Sequence, residues 1–94
     1  MIKSFKDRET ERLFNGFRSR RLPAALQRPA ARKLEMLDAA TSLQTLSRPP
    51  ANRLEKLCGP RAGTYSIRVN RQWRVCFRWL ESNAYDVEIV DYHD

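Results

Sequence analysis

The segment VEIVDYHD holds the only imidazole of the chain, His93, directly after Asp91 and Tyr92. An apolar, strand-like run leads into them. A carboxylate, a phenol and an imidazole in consecutive positions can move protons near neutral pH, because histidine is the one side chain that titrates there unperturbed. With a single histidine, a mechanism using one imidazole as acid and another as base is excluded. Strand neighbours alternate faces, so Asp91 and His93 share a side only if the strand continues through them. If the strand stops at Asp91, all three can converge. The plain alternative is a solvated histidine in a fraying segment.

Charge indicates what such groups would act on. Lys and Arg number 18 against 11 Asp and Glu, a net +7, and 14 of the 18 cations are arginine. The guanidinium fork grips phosphate oxygens and stacks on bases better than an ammonium does. A small, arginine-rich basic chain is therefore a candidate nucleic-acid binder, the alternative being a basic surface with no polyanion partner. Cleaving RNA would require a base for the ribose 2′-oxygen, a cation for the pentavalent phosphate and an acid for the 5′-oxygen. Cys58 and Cys76 lack the spacing and the accessory ligands of a zinc site or a disulfide framework, so no metal is expected. They read as thiols of a reducing compartment. No secretory h-region and no membrane-length apolar run is visible, which predicts a cytoplasmic protein without membrane contact.

The elements that must position these groups follow from periodicity. The 94 residues fit one domain, 1–94. Residues 2–5 are a short strand candidate. Asp7 can cap a helix whose first turn carries Glu9 and Glu11, with Thr10, Leu13, Phe14 and Phe17 as its apolar stripe and Gly16 as its stop. Residues 18–21 read as a basic linker. Pro23 and Pro29 bracket the first turn of a second helix. That helix is lined by Leu34, Leu37 and Thr41, with Met36, Ala40 and Leu43 beside them, and ends before the Pro49–Pro50 loop. Beyond it the period becomes two: Tyr65, Ile67, Val69; then Trp73, Val75, Phe77, Trp79; then, after a turn at Ser82 and Asn83, Tyr85, Val87, Ile89. Residues 54–57 add a short strand. Two N-terminal helices on one face of a mainly antiparallel sheet make an α+β fold.

Parity then favours one pairing, which a five-residue loop would break. If the odd-numbered apolar residues of both strands share a buried face, the tightest hairpin has the loop Asn70, Arg71, Gln72. Val69 then faces Trp73, and Arg68 faces Arg74 on the solvent side. Like charges directly opposite destabilise a pair. A phosphate between them would remove the repulsion; otherwise the two side chains lean apart into water.

The runs GPRAGTYSIRVNRQWRVCFRW and VEIVDYHD, the opening MIKSF and the segment RKLEMLDAATSLQTL together resemble the HigB group of the RelE/ParE toxin superfamily. The resemblance covers nearly the whole chain. It implies a RelE-like fold and a type II toxin: a metal-independent endoribonuclease without cofactor that enters the ribosomal A site and cuts mRNA. It also implies a helix-turn-helix, HigA-like antitoxin, with operator DNA bound only through the toxin–antitoxin complex. On the matching positions, Arg74 of QWRVCF is the arginine for the scissile phosphate, and Asp91, Tyr92 and His93 form the active-site cluster. The segment RLEKLCG departs from relatives that carry a histidine and a lysine there, and reads Glu55 and Cys58 instead. Glu55 is then a further candidate base. A thiol cannot stand in for an ammonium, so Arg53, Lys56 and Arg61 are the cations expected to bind RNA, with Arg68 and Arg71 from the hairpin. The alternative function is that of the gyrase-directed branch, the same fold inhibiting a protein target without chemistry; a plain RNA-binding regulator is a third.

Overall fold

The alternating half of the chain folds as its spacing predicts. In the computed structural model, which describes residues 1–57 and 63–92, one antiparallel sheet has the order β1 (Glu55–Lys56), β2 (Thr64–Arg68), β3 (Trp73–Leu80), β4 (Asn83–Asp91). Ile67 pairs with Val75 and Arg68 with Arg74. The Val69 amide donates to the Trp73 carbonyl at 2.9 Å, closing the loop Asn70, Arg71, Gln72 that parity favours. The next turn falls one residue earlier than expected. Glu81 and Ser82 both take left-handed φ values, 50 and 65, a two-residue geometry whose twist matches the flanking strands. Asp86 is left-handed too, φ 52, and the β3–β4 register shifts between Cys76 and Arg78. Such a bulge reverses side-chain parity along the strand. Ala84 is therefore buried with Val87 and Ile89 where the unbroken alternation predicted Tyr85.

The strand expected over residues 2–5 is reduced to two parallel bridges, Ile2 to Ala84 and Phe5 to Val87, because the bulge interrupts the β4 edge between them. The segment still covers that edge. Lys3 and Lys6 amides donate to the Ala84 and Val87 carbonyls at 2.8 and 2.9 Å, which protects it from pairing with another chain.

The first helix, α1 (Arg8–Phe14), is capped by Asp7, whose Oδ1 accepts from the Thr10 amide at 2.8 Å. Gly16, at φ 92, ends it. Phe17 therefore leaves the predicted stripe and is 58% exposed, its ring 5.3 Å beneath the Arg12 guanidinium. Residues 18–21 connect the helices with their three arginines exposed, but Ser19 within them is buried, donates its hydroxyl to Glu9 Oε1 at 2.8 Å, and its amide donates to Gln27 Oε1 at 3.0 Å. The expected second helix is two. Helix α2 (Ala24–Ala39) starts directly after Pro23 and carries Pro29 inside it. Ala40 is extended, and Ser42 caps a separate α3 (Leu43–Ser47), its Oγ accepting from the Thr45 amide at 3.1 Å. A hydroxyl that caps a new turn competes with continuation of the old one, so Thr41 is exposed rather than packed. Leu26, Ala30, Leu34 and Leu37 of α2 bury against Ile67, Val75, Phe77 and Val87 of the sheet. Among the described residues no helix is long and apolar enough to cross a membrane.

The other face of the sheet is not solvated at its centre. Ser66, Arg74 and Cys76 are buried there, Arg74 to 7% exposure. This corrects the expectation of a solvent-facing Arg74. The reason is tertiary: Arg53, the residue after a short 3-10 turn (Pro50–Asn52), brings its carbonyl to Arg74 and accepts from Nη2.

Candidate functional site

Arg74 is held by the backbone and side chain of two other elements. Its Nε donates to Ser66 Oγ at 2.7 Å, and its Nη2 donates to the Ser66 carbonyl at 3.3 Å and to the Arg53 carbonyl. The last contact exists because Arg53 is left-handed, φ 40, ψ 57, which turns its carbonyl toward β3. The two N–H groups of Nη1 are left facing Glu55, whose Oε1 lies 3.8 Å away. The Tyr92 ring stands 5.8 Å from the guanidinium carbon. A planar cation fixed at three of its five donors, with the remaining two facing a carboxylate and an aromatic ring, is arranged to receive an anionic group.

These groups line a cleft of about 600 Å³ together with Arg53, Arg68 and Arg71. Four arginines and one carboxylate residue, Glu55, line it among the described residues. The like-charged pair Arg68 and Arg74 is separated by acceptors: Arg68 Nε donates to the Asn70 carbonyl at 3.0 Å, while Arg74 turns to Ser66 and Arg53. The hairpin loop is rigidified by Asn70, whose Oδ1 accepts from the Gln72 and Trp73 amides, both at 2.9 Å. The Tyr92 amide donates to the Gln72 carbonyl at 2.6 Å, and Gln72 Nε2 donates to Asp91 Oδ2 at 3.1 Å. The loop thus holds the end of β4 in place.

Of the residues that the sequence singled out, Arg53, Glu55, Arg68, Arg71, Arg74 and Tyr92 come together. Asp91 does not join them. It pairs with Trp73 in the register, which puts it on the opposite face from Arg74 and Tyr92. Lys56 is not part of the cleft lining, since it alternates with Glu55 along β1. Cys58, Arg61 and His93 lie outside the described residues. Ser66 escaped the sequence reading, which took Asn70 and Gln72 as hairpin-loop residues without giving them a part in the site. Asn70 carried a signal, a side chain able to bond backbone two residues on in a tight loop; Ser66 carried none, since its role depends on a partner across the sheet.

Residues 3–93 match the family of the RelE-like toxin of type II toxin-antitoxin system HigB. The chain belongs to this family of HigB-like toxins. It is 41% identical over 85 residues to Toxin HigB-1 of Vibrio cholerae serotype O1, covering 89% of this chain and 90% of the relative. It is 34% identical over 93 residues to Endoribonuclease HigB of Proteus vulgaris, covering 99% of this chain and 100% of the relative. The fold is also that of a chain in the heterotetrameric YoeB-YefM toxin-antitoxin complex of Staphylococcus aureus, with a TM-score of 0.61 at 15% identity over 100% of this chain and 99% of the other. As a HigB-like toxin, the protein is an α+β domain with helices on one sheet face and the arginine cleft on the other.

Proposed function

We propose that this HigB-like toxin is a metal-independent endoribonuclease that cuts mRNA in the ribosomal A site and so halts translation. The observation that carries the reading is Arg74, pinned by Ser66 and Arg53 with Nη1 facing the cleft beside Glu55 and Tyr92. Similarity over almost the full length to a relative named an endoribonuclease supports it. In the reaction a base takes the 2′-hydroxyl proton, the 2′-oxygen attacks phosphorus, the bond to the 5′-oxygen breaks, and an acid protonates that oxygen. The products are a 2′,3′-cyclic phosphate and a 5′-hydroxyl. Arg74 stabilises the pentavalent phosphate without a Lewis acid. Glu55 is the base nearest to it, Tyr92 stacks on a base or donates a proton, and His93 is the acid. Asp91 acts through Gln72, orienting the loop rather than touching RNA. The type II setting implies a helix-turn-helix, HigA-like antitoxin, binding of operator DNA through that complex, and a cytoplasmic site of action.

Primer extension on mRNA from cells expressing the protein tests this. Discrete cuts within translated codons are expected, surviving chelator in a purified ribosome assay and strongly reduced for Arg74→Lys. Intact mRNA with inhibited DNA gyrase would replace the reading by the non-catalytic alternative.

A further inference from the structure

A second groove of about 550 Å³ adjoins the cleft. It shares Arg53, Arg68 and Arg71 with the cleft and adds Lys33 from α2, Pro50 and Ala51 from the 3-10 turn, and Val69 from the end of β2. Lys33 is not a loose surface lysine. Its Nζ donates to Asn52 Oδ1 at 2.6 Å, and the buried Asn52 donates in turn to the Leu46 carbonyl at 2.9 Å. Burial lowers the Lys33 pKa below the ordinary lysine value, the mark of an ammonium partly stripped of water, which gains more from an incoming anion than a hydrated one does. A lining that combines cations with the apolar surface of Pro50, Ala51 and Val69 suits a unit with a charged phosphate and an apolar ring face. Among the described residues no carboxylate lines this groove, in contrast to the cleft with its Glu55. It is therefore equipped to bind an anion and not to exchange protons with it.

We infer that the groove is a second nucleotide subsite, in which the RNA strand leaving the cleft past Arg53 and Arg68 seats its next phosphates on Arg71 and Lys33 and lays a sugar or base against Pro50, Ala51 and Val69. The inference rests on the endoribonuclease reading of the cleft. The three shared arginines favour a continuous strand over a separate acidic peptide, because a ligand confined to the groove would leave their cleft-facing charge unused.

The test uses the full chain and two uncleavable probes, a mixed-sequence 2′-O-methyl dinucleotide and the corresponding hexanucleotide, followed by NMR and by binding titration. The dinucleotide should shift signals of Arg74 and Tyr92 alone; the hexanucleotide should add Lys33, Ala51 and Val69 and bind about tenfold more tightly at low salt. Ala51→Asp adds an anion at an exposed position and should shrink the affinity ratio of the two probes by about fivefold; Lys33→Gln should do the same. A folded Ala51→Asp variant with an unchanged ratio, or hexanucleotide shifts confined to the cleft, overturns the subsite while leaving the cleft reading intact. Shifts at Lys33 and Ala51 with hexaglutamate, and none at Arg74 with either RNA, would overturn both and make the groove a dock for an acidic protein segment.

Discussion

Three of the five N–H groups of Arg74 are committed to the protein and two to the cleft, so substitutions there separate structure from chemistry. Arg74→Ala leaves Ser66 Oγ and the Arg53 carbonyl without their donor in a buried place. We expect it to destabilise the fold by about 1–3 kcal/mol as well as abolish cleavage, read by chemical denaturation and by primer extension. Arg74→Lys keeps the charge but not the planar fork; it should remain folded and lose about a hundredfold in rate. Near-normal cutting by the lysine variant would show that a point charge suffices there. Glu55, half exposed beside Arg74, divides the roles of base and repeller. Glu55→Gln should lower the single-turnover rate by about a hundredfold yet bind RNA at least as tightly, since it removes an anion from the cleft. If the rate holds and His93→Ala loses it instead, His93 is the base.

Two short connections decide whether these side chains meet. Arg53 pays a conformational cost for its left-handed backbone, about 1–2 kcal/mol for an L-residue, and in return its carbonyl reaches Arg74. Arg53→Gly keeps that backbone accessible while deleting one cation, whereas Arg53→Val strains it, because a β-branched residue resists positive φ. We expect the valine variant to lose more cleavage than the glycine variant at saturating RNA; equal losses would mean that only the Arg53 charge matters. The α1–α2 connection has its own pH signature. The Ser19 hydroxyl and then the Arg20 amide bond the Glu9 carboxylate and hold its pKa below the ordinary value. A carboxyl depressed on folding stabilises above its unfolded pKa, and that contribution is lost as pH falls through the folded one. Wild type and Glu9→Gln should therefore differ in thermal stability at neutral pH and converge under acid, measured by circular dichroism melts. A difference that persisted in acid would place the role of Glu9 outside its charge.

At the scale of the whole molecule, which carries a net +7 charge, Arg53, Arg68, Arg71, Arg74 and Lys33 line a cleft and an adjoining groove. RNA affinity should therefore fall steeply with salt. Four cleft arginines predict a slope of log affinity on log salt near about −3 for a single strand, and Arg71→Ala should reduce its magnitude by about 0.7. Arg71 is exposed on the hairpin loop, so that change should not alter stability. A salt-independent affinity would direct attention to an apolar protein contact instead.

Hydrophobic period and turn chemistry are local, and what depends on them was legible from the residues alone: the α+β class, the Asp7 cap, the three-residue hairpin and the facing of Arg68 by Arg74. Burial alternates with the pleat, so even the arginine pair followed from parity. The bulge at Asp86 was not legible, because a single left-handed residue leaves no periodic trace, and it moved Tyr85 outward and Ala84 inward. The break at Ala40 was hidden because the apolar spacing runs on through it. The burial of Arg74 was beyond any local signal. It arises where a left-handed Arg53, 21 positions away in sequence, folds its carbonyl over the sheet. Residue types and parity pointed to Tyr92, Arg68 and Arg74, and the family resemblance added Arg53 and Glu55; with Arg71 these line most of the cleft. Only the tertiary structure separated Tyr92 from Asp91, because the pleat sends adjacent side chains to opposite faces and the loop at Gln72 fixes which face each receives.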